Sequence, residues 1–396
     1  MKPKLLFFIN TLDFGGAERV VSQLLQQLDK DFELHLALYS KVIKYPIPPD
    51  LKIYDLGENI LLPGIQTLLR LPLIAKNMAG YCKENDIKLC ISFLNRPCYI
   101  SAMMRTFWGY KGKLIMCERS HQSSILQFIG GGSGIYRAIT KKLIHWSYQK
   151  ADVVLTNSLL SKQDLRENFA VSTPIHVIYN PINTAFLVSK AHEPLERFTD
   201  GQFTFVTTGN FRIEKNFELL IRAFARLKQL PVKLVLVGGG VLEPVLKNLA
   251  TELDVSERVI FTQFQSNPFK YIQQADCFVL SSHTEGFPNV LLEALACGKP
   301  VISTDCKSGP REILAPFSDL YSQVTDHFEI AEFGILSPNN NELELANAMQ
   351  YMFENIQLRN SYAKKAVHRA KDFDAAVILP RFQAIFSEQL ASIDKV

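Results

Sequence analysis

Short, wholly apolar runs alternate along the chain with stretches whose apolar residues recur every three or four positions. The run Leu5-Leu6-Phe7-Phe8-Ile9 is too short for a helix and apolar at every position, as a strand covered on both faces must be. Gly15-Gly16 follow it. From 17 to 28, Val20, Val21, Leu24, Leu25 and Leu28 fall on one helical face, so the opening reads as strand, glycine turn and helix. Further strands are expected over 34–39, 89–93, 113–117 and 153–157, with helices between them. Alternation of this kind predicts parallel α/β architecture, because parallel strands need crossover helices.

At 177–181 another strand runs into Pro181, and a polar stretch over 189–202 follows, which marks a domain boundary. The alternation then restarts, with strands over 203–208, 233–237, 259–262, 277–281 and 300–304. Helices are expected over 218–230, 244–253, 268–274, 289–297 and 343–353. The reading is therefore a first domain over 1–182, a second over 183–372, and a terminal helical segment over 373–396 packing back toward the first. Two such halves joined once leave a cleft at the carboxyl ends of their strands, where open sheets bind ligands.

Composition narrows the class. With 47% hydrophobic and 21% charged residues in 396, the chain is globular and long enough for two cores. Seven cysteines stand scattered with no CxxC pair, which suits reduced thiols in a cytosolic protein better than a disulfide frame or a zinc site. The apolar stretch at the start is too brief for a secretory signal, so no export is expected. The tract over 60–79 carries Arg70 and Lys76 and is interrupted by Pro63 and Pro72, so it is not expected to span a bilayer. Net charge is +4, but residues 1–182 carry +8 and residues 183–396 carry −4. The basic half is suited to an anionic partner: phospholipid headgroups, a phosphorylated acceptor or nucleic acid. Neither an aromatic-basic RNA motif nor a zinc finger supports the last, so no nucleic-acid partner is expected.

The densest chemistry lies in Ser281-Ser282-His283-Thr284-Glu285-Gly286-Phe287-Pro288-Asn289-Val290-Leu291-Leu292-Glu293. A strand ends, a glycine-bearing loop follows, and a helix begins near Asn289, which offers free backbone N–H groups to phosphate or sugar oxygens. Glu285 in the loop and Glu293 a turn into the helix add two carboxylates. Gly238-Gly239-Gly240 after a strand lacks the last glycine of a dinucleotide fingerprint, since Glu243 stands there, which argues against a nicotinamide enzyme. It reads equally as a turn lining a ligand cleft or as a purely structural one.

Glu285-x7-Glu293 resembles the signature of the retaining glycosyltransferase family 4. Three further stretches resemble that family in the same order: 14–19 with Gly15-Gly16, 209–216 with Lys215, and the turn at 236–240. The resemblance implies a GT-B fold, two facing Rossmann-like domains with an interdomain cleft. It implies a nucleotide-sugar donor, UDP-linked in preference to GDP-linked, as a substrate and not a cofactor. By the same resemblance Lys215 and Glu285 are catalytic, Lys215 neutralising the leaving diphosphate without a metal and Glu285 orienting the sugar. Gly16, Asn210, Arg212, Lys215, Gly286, Phe287, Pro288, Asn289, Val290 and Glu293 would contact the donor, Glu293 through its ribose. The family carries Arg where Asn210 stands, and Arg212 is the candidate replacement. Arg119 and His121, after the strand over 113–117, are the acceptor candidates.

The stretch 301–312 resembles bacterial members that build lipopolysaccharide, capsule or lipid-linked oligosaccharides. That implies a glycan or lipid-linked acceptor and work at the cytoplasmic face of the inner membrane. Two segments of the basic half fit an anionic membrane surface. One is a helix with Ile135, Ile139, Leu143 and Trp146 on one face and Arg137, Lys141, Lys142 and Lys150 on others, after the glycine run at 130–134. The other is the tract over 61–78. Either apolar face serves equally as the core side of a domain helix. The rival activities are a glycosidase or phosphorylase using Glu285 and Glu293 as an acid/base pair, and a catalytically inactive glycan binder.

Overall fold

The computed structural model describes residues 2–59, 64–128, 134–196 and 201–393, without the side chains of residues 64, 65, 128, 135 and 136. The glycine run at 130–133, the start of the greasy tract at 60–63, residues 197–200 of the polar stretch and the side chain of Ile135 lie outside that description. The chain divides into two compact units, residues 1–181 with 376–396, and residues 182–375.

The first unit is built on seven strands: β1 (Lys4–Ile9), β2 (Glu33–Leu38), β3 (Lys52–Asp55), β4 (Leu89–Phe93), β5 (Lys113–Glu118), β6 (Val153–Thr156) and β7 (Ile175–Val177). Their order is β3-β2-β1-β4-β5-β6-β7, all parallel, and it reverses direction between β1 and β4. All of β4 and five of six residues in β1, β2 and β5 are buried, which explains the continuous apolar runs in the sequence. Helix Ala375–Ala391 belongs to this unit beyond Ala375, and Phe386 packs edge-on against Phe7 at 6.1 Å.

The second unit has β8 (Phe203–Thr208), β9 (Val232–Val237), β10 (Val259–Phe261), β11 (Cys277–Leu280), β12 (Val301–Thr304), β13 (Glu329–Ile330) and β14 (Ile335–Ser337). Their order is β10-β9-β8-β11-β12-β14-β13, with β13 antiparallel at the edge. Here the order reverses between β8 and β11, so the loops that follow these two strands flank the unit's switch point.

Several expected boundaries shift. The strand anticipated at 177–181 is Ile175–Val177, and the chain leaves the sheet after the Ile178 N–H bonds Thr156 O at 2.9 Å. The helix anticipated over 218–230 is Phe217–Ala225; three-residue turns then carry the chain to Pro231, which disfavours a helical residue before it. The polar stretch at 189–202 opens inside helix Thr184–Ala191, which belongs to the second unit. Helices Asn95–Trp108 and Leu159–Glu167 fall between strands as expected, whereas strands β3, β13 and β14 and helix Ile356–Lys371 lay outside the periodicity reading.

Candidate functional site

Both loops at the second unit's switch point carry the predicted residues. After β8 the chain passes Gly209 and Asn210, buries Phe211 against Phe217 and Phe261, and forms a short 3-10 turn, Ile213–Lys215. Asn216 takes a left-handed conformation and caps helix Phe217–Ala225, its side chain accepting from Leu219 N. Asn210 and Arg212 are exposed, and Arg212 Nη1 stands 4.0 Å from Glu214 Oε1. Lys215 is turned to the neighbouring loop instead.

There the Lys215 ammonium donates to Glu285 Oε1 at 2.7 Å. The same oxygen accepts from Ser282 Oγ at 2.6 Å. Two further bonds lace the loops together: Ser281 Oγ donates to Lys215 O at 3.1 Å, and His283 N donates to Glu214 O at 2.9 Å. Asn216 Nδ2 approaches His283 Nδ1 at 3.3 Å, and burial holds the His283 imidazole below its ordinary pKa, so it stays neutral near pH 7. A cation and a carboxylate 70 residues apart in sequence thus meet at the mouth of the switch point.

Gly286, Phe287 and Pro288 are buried, Phe287 lying 5.3 Å from Phe373. Helix Asn289–Ala296 starts directly after Pro288 with no side-chain cap, and its Leu291 N–H turns back to Pro288 O at 3.1 Å. Asn289 and Val290 are partly exposed there, whereas Glu293 is 2% exposed and sits on the buried side. Across from this loop, Gly238 and Gly240 bring the turn after β9 onto the backbone of Gly209 and Phe211. A Cβ on Gly238 would lie 2.0 Å from Gly209 O, so these glycines serve close backbone approach.

In the first unit, Gly16 is exposed at the start of helix Gly16–Leu28. Arg119 and His121 follow β5 and are both buried. Arg119 Nη2 bonds Asn180 Oδ1, while its Nε and Nη1 have no hydrogen-bond partner. Burial pulls its pKa down to about 10, which still leaves the guanidinium charged at neutral pH. His121 Nδ1 accepts from Ser124 N at 3.3 Å and meets Ser124 Oγ at 2.9 Å, so one ring nitrogen is occupied in holding the start of helix Gln122–Phe128. Ser282 and Asn216 stand inside the stretches singled out in the sequence, 281–293 and 209–216, but carry no assigned role there, and Asn339, which donates to His283 O at 2.9 Å, lies outside them.

The helix anticipated around Ile139 is Gly134–Tyr148. Its core side is centred on Ile144 and Tyr148, with Leu143 and Trp146 half-buried and Ile139, Lys141 and Lys142 exposed. Phe107 stacks on Trp146 at 6.3 Å, and Lys76 lies over the Trp108 ring at 5.7 Å. Leu69, Leu73, Phe107 and Trp108 are exposed on the same unit. Among the described residues no helix is long and apolar enough to cross a membrane, and no three His, Cys, Asp or Glu side chains gather as metal ligands.

Comparison with known proteins accounts for both units. The family model for Glycosyltransferase Family 4 matches residues 14–186, and that for Glycosyl transferases group 1 matches residues 190–369. The chain is 37% identical over 384 residues, 95% of its length and 97% of the relative's, to a Campylobacter jejuni protein. That relative is the N-acetylgalactosamine-N,N'-diacetylbacillosaminyl-diphospho-undecaprenol 4-alpha-N-acetylgalactosaminyltransferase. This chain is also 29% identical to the lipopolysaccharide 1,6-galactosyltransferase of Escherichia coli K12, over 59% of its own length and 67% of that protein's. In structure it is similar to sucrose-phosphate synthase of Thermosynechococcus elongatus, with TM-score 0.83, 19% identity and 99% and 100% of the two chains covered. Anabaena HepE, solved with UDP-glucose, is similar at TM-score 0.74 and 19% identity, with 97% and 99% covered. With one family model on each unit and a relative alike from end to end, the chain belongs to glycosyltransferase family 4 and is a glycosyltransferase of the GT-B fold.

Proposed function

We propose that this glycosyltransferase moves a hexose or N-acetylhexosamine from a UDP-sugar to a hydroxyl of a lipid-linked bacterial surface glycan, with retention and without a metal. The observation that carries the reading is the Lys215–Glu285 pair at the switch point, beside an uncapped helix N-terminus. A diphosphate in that loop meets the Lys215 ammonium and the first N–H groups of helix Asn289–Ala296, and Arg212 adds a second cation from the same strand end. These groups stabilise charge where it develops, on the departing phosphate oxygen. The bond between the sugar C1 and that oxygen breaks, the acceptor oxygen bonds to C1 on the same face, and the acceptor proton passes to the leaving diphosphate. Glu285, once Lys215 turns to phosphate, is left to accept hydrogen bonds from sugar hydroxyls.

The donor base is supported by HepE, whose structure holds UDP-glucose. The acceptor class is supported by the Campylobacter jejuni relative, named for a diphospho-undecaprenol-linked saccharide. Arg119 supports an anionic acceptor, because a buried guanidinium with two unpartnered nitrogens is costly unless an acceptor group meets it. The exposed Leu69, Leu73, Phe107 and Trp108, with Lys76, Lys141 and Lys142 on the same unit, support peripheral attachment at the cytoplasmic face of the membrane.

The test offers UDP-linked and GDP-linked sugars together with a short polyprenyl-diphosphate oligosaccharide, in EDTA. UDP release with one sugar, and an anomeric configuration in the product equal to the donor's by NMR, is the expected outcome. Inversion, or loss of activity in EDTA, would overturn the corresponding part. Binding of the oligosaccharide without release of any nucleotide would make the chain an inactive glycan binder.

A further inference from the structure

The loop that bears Glu285 is gripped by side chains at three of its carbonyls. Thr304 Oγ1 donates to Ser282 O at 2.7 Å, Asn339 Nδ2 to His283 O at 2.9 Å, and Ser308 Oγ to Gly286 O at 2.6 Å. The first two come from ordinary backbone positions. Ser308 does not: it is fully buried with φ +77°, a conformation that residues with a Cβ occupy at a cost. Gly309 follows with φ +93°, and a Cβ there would stand 2.5 Å from Pro288 Cδ and 2.9 Å from Phe287 Cα. The turn at 308–309 is therefore pressed directly onto the 286–288 backbone.

Its ends are anchored. Asp305 N bonds Ser337 O at 2.7 Å, and Arg311 donates to Asp305 Oδ2 through Nε at 3.0 Å and Nη2 at 2.6 Å, both side chains being buried. Glycine would adopt the Ser308 backbone without strain. A serine there gives up that ease and places a hydroxyl on Gly286 O. Peptide planarity then transmits the bond locally: holding the Gly286 carbonyl holds the Gly286–Phe287 peptide plane, which lies between Glu285 and the start of helix Asn289–Ala296.

We propose that Ser308 is a positioning residue for sugar transfer, its strained backbone holding the hydroxyl that sets the loop between Glu285 and Asn289. The inference rests on the donor reading given above. It is tested with Ser308→Gly and Ser308→Ala, measuring kcat with the active sugar nucleotide, UDP affinity by calorimetry and Tm for each. Ser308→Gly loses the hydroxyl but relieves the strain, so its Tm stays within about 3 °C of wild type while kcat falls about tenfold or more. UDP affinity changes by less than about threefold, because Lys215 is untouched. Ser308→Ala shows the same loss of kcat with a lower Tm, since it keeps the strain and loses the bond. A merely structural serine predicts activity that follows Tm. Wild-type kcat in Ser308→Gly, or a Tm lower in Ser308→Gly than in Ser308→Ala, overturns the proposal. Failure of wild type itself to bind UDP instead overturns the donor reading, and the inference with it.

Discussion

Lys215 and Glu118 show how differently charge is treated at two single positions. Lys215 is partly exposed and shares its charge with Glu285, so it is available to a ligand at small desolvation cost. Lys215→Ala is expected to lower kcat/KM by about 10²-fold, the scale of removing one preorganised electrostatic contact, in a UDP-release assay. A change of less than about threefold would remove Lys215 from the transition state. Glu118, at the end of β5, is buried. Its Oε1 accepts from Arg119 N, Ser120 N and Ser120 Oγ, and its Oε2 from the Tyr148 hydroxyl at 2.7 Å. Burial still outweighs these donors and pushes its carboxyl above the ordinary 4.5. The native state therefore binds more protons than the unfolded chain from 4.5 up to the raised value, and the stability this group contributes falls as pH climbs through that window. Glu118→Gln keeps an oxygen for the three donors and removes the charge. Urea unfolding at pH 4.5 and 7.5 should show the variant gaining on wild type at the higher pH. An equal difference at both values would mean that the carboxylate is buried at no cost.

At the scale of elements, the loops after β8, β9 and β11 are held by contacts between backbones. Gly238 stands on Gly209, Gly240 on Phe211 and Gly309 on Pro288, none with room for a methyl group. Gly238→Ala forces the turn after β9 off the 209–211 segment and is expected to cost about 1–3 kcal/mol in urea unfolding, the range of a buried overpacked site. Unchanged stability would show that the turn moves freely. The triple glycine was legible in sequence as a turn, but its partner was not, because Gly209 is 29 positions away and only the pairing of β8 with β9 brings it there. The same holds for Asn339 and Ser308, which reach the Glu285 loop from elements that periodicity did not reveal or did not place. Helix ends were misjudged where a proline several residues on decided the matter, as at Pro231.

At the scale of the whole molecule, each unit closes its own hydrophobic core, one including Phe8, Tyr39 and Tyr148, the other Phe205, Phe224 and Met349. All seven cysteines are free and buried in these units. Burial raises Cys117 to about 12 and Cys297 to about 11, so little thiolate forms at pH 8. Ellman's reagent should titrate fewer than about one thiol in the native protein and all seven in denaturant. Fast reaction of several thiols in the native protein would show that one core opens readily. The sequence by itself determined the class of fold and the family, since a buried parallel strand must be apolar throughout, a crossover helix must repeat at 3.6, and Glu285-x7-Glu293 needs only local order to be read. Only the tertiary structure decided which charges meet. Lys215 reaches Glu285, and Ser308 reaches Gly286, because strand order places distant loops at one switch point, and strand order is set by packing between segments that no local pattern records.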